Sequence, residues 1–182
     1  MENKYIKEQF NGLTKEVYKW DFISISPFFK EEFRNKTAEK EIIDAYLHSA
    51  ECLYMCLHRE NNPDNGIKVF RMNQMCMPFL FLCRHTIELS IKAVLNKKEG
   101  KAKKIHKLKE LWEELKKVIK LDNDDFDMLI EVLNTIDDDG CKLRYSNDGK
   151  GNNYNEKPCF VRTDLILNTT RDLYNFLIKE IV

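Results

Sequence analysis

The stretch "FLCRHTIELSIKAVL" (residues 81 to 95) constrains the fold more than any other part of the chain. With successive residues about 100° apart around a helix, Arg84 at zero puts Glu88 near 40°, Lys92 near 80° and His85 near 100°. Leu80, Ile87, Ile91 and Val94 gather on the opposite side. One helix therefore has to bury an apolar face directly beside four contiguous ionisable groups. That polar arc meets water, a partner helix or a substrate.

The rest of the chain can supply the packing partners. Only six glycines and four prolines occur in 182 residues, which favours few turns and long helices. The spacing predicts helices over 4–19, 38–60, 68–97, 106–120, 123–138 and 163–182, with 21–29 extended. Thr37 is placed as the N-cap of the second of these, and Pro78 either restarts or kinks the third. "NNPDNG" (61 to 66) reads as a loop, and "DDDGCKLRYSNDGKGNNYNEKP" (137 to 158) as a long polar loop of the kind usually kept for function or left disordered. The fold expected is all-α, an up-and-down bundle of four to five main helices with that loop before the last one. The length suits a single domain over 1–182, with 1–37 as an N-terminal extension packing on the bundle.

Charge and composition narrow the function classes. The formal net charge is zero, which argues against a protein that coats polyanions. Yet residues 92 to 120 carry eleven lysines against four glutamates, and residues 121 to 139 carry eight acids and no base. Either the two segments pack side by side and offset each other, or the 97–107 loop is a phosphate-seeking edge. Interleaved aromatics are missing, so no single-strand stacking platform is expected in that run. The polar start, "MENKYIKEQF", has no secretory pattern and "MCMPFLFLC" is too short to span a bilayer, so a cytoplasmic protein without membrane contact is expected.

No metal or cofactor is expected. The six cysteines form no C-x-x-C pair, and His48, Cys52 and Cys56 spread over three turns of one helix, too far along its axis to wrap one ion. They read better as buried small hydrophobes. "EKEIIDAY" offers no E-x-x-H pair, which disfavours a metal enzyme. "DGKGNN" lacks the spacing and following helix of a phosphate-binding loop.

Three segments in order, "LCRHTIELSIKAVL", "HKLKELWEEL" and "LRYSNDGKG" ahead of a final helix, resemble a bacterial branch of the HEPN superfamily. The resemblance covers residues 79 to 177. It implies a helical bundle, often dimerised through the arginine-bearing helices, in prokaryotic settings of toxin–antitoxin modules, phage defence and RNA cleavage. HEPN nucleases work without metal and use an arginine followed by four to six residues and a histidine. Here those positions after Arg84 hold Leu89, Ser90 and Ile91, and no other arginine has a histidine at that spacing.

The function expected is therefore binding or cleavage of RNA in a defence or toxin–antitoxin role, with a homodimer, RNA and an antitoxin or other protein as partners. The alternative is a non-catalytic HEPN-like module that binds a protein or a nucleotide-type ligand. In the enzyme reading, His85 and His106 move protons, Arg84 and Glu88 complete the catalytic set, and Lys92, Arg144, Tyr145 and Asp148 bind substrate. In the structural reading, Arg84 and Glu88 form an intrahelical pair. His106 then serves as a helix N-terminal residue, and Arg144 as a buried anchor pairing Glu88. The structural network is the favoured one for the cluster as a whole.

Overall fold

The computed structural model describes residues 36–59, 66–100, 103–154 and 160–181. These belong to the compact unit Asn35–Val182. The expected helix over 4–19, the extended 21–29 segment and all but the last two residues of the N-terminal extension lie outside the described residues. So does most of the "NNPDNG" loop.

Five helices build the described fold: α1 (Lys36–Arg59), α2 (Gly66–Glu99), α3 (Leu108–Val118), α4 (Asp124–Ile136) and α5 (Thr163–Ile181). Among the described residues there is no strand, only an isolated antiparallel bridge between Asn147 and Asn153. The all-α bundle read from the sequence is the fold observed. α2 is its centre, packing on α1, α3 and α5, while α4 closes the ring between α3 and α5. Each helix presents its periodic apolar face to this core: Ile43, Ala50 and Leu57 from α1, Phe79, Ile87, Ile91 and Val94 from α2, Leu111 and Trp112 from α3, Leu129 and Leu133 from α4, Leu173 and Leu177 from α5. No helix among the described residues is long and apolar enough to cross a membrane.

Local chemistry explains the boundaries. Asn123 caps α4, its Oδ1 accepting from the N–H groups of Asp125 (3.0 Å) and Phe126 (3.1 Å), and acids fill the first turn where the helix dipole favours them. Pro78 lies inside α2, which runs through it without ending. The helix loses only the hydrogen bond that a residue-78 N–H would have given Gln74. Thr37 lies within α1 instead of capping it from outside.

One expectation needs correction. Of the cysteines read as buried hydrophobes, Cys83 is buried, but Cys52 and Cys56 are exposed and Cys76 and Cys141 are half-buried. The outer face of α1 carries the first two, with Cys52 Sγ 3.7 Å from His48 Nε2. Of the two readings of the lysine-rich segment, the packed one fits: among the described residues most of its lysines are paired. Lys109 pairs with Glu131 and Lys116 with Asp127 (3.1 Å) across the α3–α4 contact, Lys103 lies 2.7 Å from Glu114, and Lys98 lies 2.8 Å from Glu180. The two oppositely charged segments pack side by side and offset each other.

Candidate functional site

Arg84 sits in the middle of α2 and is 1% exposed. A buried guanidinium must have its donors satisfied, since an unpaired charge in the interior is costly. Here every partner is identifiable. Nη1 donates to Glu88 Oε2 at 2.7 Å and Nε to the carbonyl of Asp137 at 2.7 Å. Nη2 donates to the carbonyls of His106 (2.6 Å) and Asp138 (3.1 Å). One side chain thus ties α2 to the segment leading into α3 and to the chain leaving α4. The Asp138 carbonyl also accepts from Leu108 N (3.1 Å), at the start of α3.

Glu88, one turn along, is equally buried and equally committed. Its Oε1 takes Lys92 Nζ at 2.7 Å and His106 Nδ1 at 2.9 Å. Burial pushes its carboxyl up, but the hydrogen bonds from Lys92 and Arg84 outweigh that and hold it below the ordinary carboxylate range. An ionised Glu88 can only accept, so the His106 Nδ1 that faces it is the donor of the pair. Lys92 Nζ lies 3.5 Å from the same Nδ1.

The sign of the pH dependence follows. Because Glu88 is more acidic folded than unfolded, its stabilisation is present above the ordinary carboxylate range and is lost as pH falls through the depressed folded value. In acid titrations followed by circular dichroism, Glu88→Gln is expected to flatten the loss of stability in that range. An unchanged acid slope would show that the pairing contributes nothing.

His85 occupies the outer edge of the arc. Its ring stacks on Phe81 (centroids 5.4 Å, 12° between planes) and meets Tyr46 of α1 edge-on at 4.6 Å. Among the described residues neither ring nitrogen is hydrogen-bonded. Desolvation lowers its pKa first, Glu88 acts in the opposite sense, and Arg84, Lys92 and Arg144 reinforce the lowering. Burial therefore biases His85 toward its neutral form relative to a free imidazole.

Arg144 corrects the anchor reading: it is exposed and does not pair with Glu88. Its Nε donates to the Gly140 carbonyl, and its guanidinium lies 5.7 Å from the Phe81 centroid and 5.3 Å from that of Tyr145. Arg144, Tyr145, Ser146, Asn153 and Tyr154, with Leu143 and the exposed Met77 at its edge, line an open cleft of about 580 Å³. Asp148 does not line it. Its carboxylate turns into its own loop, accepting from Lys150 N (2.8 Å), Asn152 N (3.1 Å) and Asn152 Nδ2 (2.7 Å), so its chemistry is that of a loop staple.

Two residues escaped the sequence reading. Asp137 is fully buried at the end of α4, its Oδ1 accepting from Lys142 N at 3.0 Å and its Oδ2 4.0 Å from Arg84 Nε. Gly140 has φ +82°, and a Cβ there would stand 3.0 Å from Arg84 Nη1. The run "DDDG", acids closing a helix ahead of a glycine, was the available signal. Gly140→Ala is expected to cost about 1–2 kcal/mol from the left-handed backbone alone, with the approach to Arg84 adding to it. Urea unfolding would measure this, and an unchanged midpoint would mean that Gly140 is replaceable.

A sequence model of the family described as HEPN domain matches residues 75–179, more than half of the chain. The match takes in α2 from Met75 onward, α3, α4, the long loop and most of α5, and with them all eight site residues expected from the sequence. Neither the curated proteins nor the solved structures contain a match.

Proposed function

This chain belongs to the HEPN domain family, and from that premise we propose that it binds RNA through the rim around the buried arginine. The rim comprises Arg144 and Tyr145 at the cleft, His85 beside Phe81, and His106 with Lys92 on Glu88. The observation that carries the reading is the stacked group of Arg144, Tyr145, Phe81 and His85 next to an open cleft. A cationic fork and aromatic faces are what an unpaired nucleotide needs for its phosphate and its base. Arg84 and Glu88 serve this rim by holding two loops against α2, not by touching the ligand.

Metal-independent cleavage is the finer form of the proposal. A neutral imidazole accepts the 2′-OH proton as the 2′-oxygen attacks phosphorus, and a protonated one donates its proton to the 5′-oxygen as the P–O5′ bond breaks. His85 suits the first role. His106, with Nδ1 engaged by a carboxylate, suits the second. The setting that family membership supports is a prokaryotic defence or toxin–antitoxin system.

Binding is measured by fluorescence anisotropy with a labelled single-stranded RNA over a range of salt. Tyr145→Ala is expected to cost about 1–3 kcal/mol of binding. Arg144→Ala is expected to weaken binding and to lower the salt slope by about one. Wild-type affinity in both variants would remove the rim from RNA recognition.

A second reading, a binding module without catalysis, is favoured by the missing Arg-to-His spacing and by the full commitment of Arg84 to protein carbonyls and Glu88. The RNA titration and the cleavage assays on the histidine variants separate it from the first. Assembly as a homodimer is part of the proposal. Phe79, Leu80 and Cys83 enter the core, while Met77 and Pro78 stay exposed on α2 for a partner. Sedimentation as a monomer at micromolar concentration would count against it.

A further inference from the structure

Half of the large hydrophobic residues exposed among the described residues cluster in one place, away from the arginine site. Met128 (67% exposed) and Val132 on α4, Phe160 (95%) ahead of α5 and Leu165 (53%) on α5 border a groove of about 320 Å³ between these two helices. Its floor is Leu129 and Ile166, so the groove is an outward continuation of the core. Solvent-exposed apolar side chains scattered singly are ordinary, but a contiguous set beside a groove marks a contact surface.

Charge sets the chemistry of what fits there. Asp125 lines the groove and, with Asp124, makes no ion pair among the described residues, unlike Asp127 and Glu131 on the same helix. Asp172 follows Leu165 and Thr169 on the same face of α5 by helical periodicity. It too is exposed and has no ion pair among the described residues. The basic residue in the lining, Arg162, is already engaged by Asp164 at 2.5 and 2.9 Å. The groove therefore presents an apolar floor with uncompensated negative charge.

We propose that the α4–α5 groove docks a basic amphipathic helix of another protein, its apolar side chains between Met128 and Leu165 and its lysines or arginines on Asp125 and Asp172. Residues at i, i+3, i+4 and i+7 of such a helix supply the apolar row. The basic flank adds complementarity and raises the rate of encounter. This surface is independent of the RNA rim.

The test uses the full chain and two synthetic peptides, a Leu/Lys amphipathic helix and its Leu/Glu counterpart, titrated by fluorescence anisotropy. The Leu/Lys peptide is expected to bind and the Leu/Glu peptide not to. Met128→Glu and Asp125→Lys are each expected to weaken binding by at least about tenfold, whereas Asp122→Lys, off the groove, leaves it unchanged. All these side chains are exposed, and unchanged melting temperatures check that the fold is intact. Equal binding of both peptides, or equal loss with Asp122→Lys, would overturn the proposal as general charge attraction. Conversion of an oligomer to monomer by Met128→Glu would overturn it too, by making a second copy of the chain the occupant. Unaltered RNA binding in Met128→Glu and Asp125→Lys is expected and keeps the two surfaces distinct.

Discussion

Arg84→Ala is expected to destabilise the protein by about 3–5 kcal/mol, the scale for breaking a buried, hydrogen-bonded ion pair. The carbonyls of His106 and Asp137 lose the donor that Arg84 gives them, and that of Asp138 keeps only Leu108 N. Glu88 keeps Lys92 and His106, which prevents the still larger cost of a lone buried charge. Arg84→Lys does not rescue it, because a single ammonium cannot reproduce a planar fork that reaches four acceptors. Since Arg84 and Glu88 share a bond, the double variant Arg84→Ala/Glu88→Ala is expected to lose less than the sum of the single ones. Urea midpoints of the cycle test this. A midpoint for Arg84→Ala close to wild type would show that the guanidinium is dispensable to the fold.

The histidines carry the largest expected effect on activity. If the protein cleaves RNA, His85→Ala and His106→Ala are each expected to slow cleavage by about 10²- to 10⁴-fold while leaving the fold intact. Folding is spared because His106 is mostly solvent-exposed and His85 contributes ring contacts without a hydrogen bond. The proposed chemistry routes no step through a metal, so cleavage is expected to persist in EDTA. His85→Phe separates packing from proton transfer: it keeps the stack on Phe81 and removes the nitrogens. Full activity in His85→Phe would eliminate His85 as the base. An intact protein that binds RNA and never cleaves it would establish the module reading instead.

The sequence determined the helices, because their information is local. Apolar residues spaced for burial and a scarcity of glycine and proline place α2 to α5 within a few residues of where they stand. The same spacing puts Arg84, Glu88 and Lys92 on one arc, and the contacts between them are those one helical turn dictates. It also places opposite charge on neighbouring helices, though either outcome for the lysines remained open.

Only the tertiary structure decided what the arc is for. The decisive partners of Arg84 are main-chain carbonyls 22, 53 and 54 residues away. Every residue carries the same carbonyl, so nothing in its side chain announces that it will be an acceptor. For that reason Arg84, whose pairing with Glu88 helical spacing already gives, proves in the fold to be a buried tie between two loops, whereas Arg144, read either as a substrate binder or as a buried anchor, stands exposed over Phe81 and Tyr145. Asp148 follows the same logic, its carboxylate taken by backbone N–H groups of its own loop. Asp137, one of three adjacent acids in the sequence, is the fully buried one, because the end of α4 turns it toward Arg84. Helical periodicity is written in side chains; which loops close over the helix depends on backbone groups that look alike until the chain has folded.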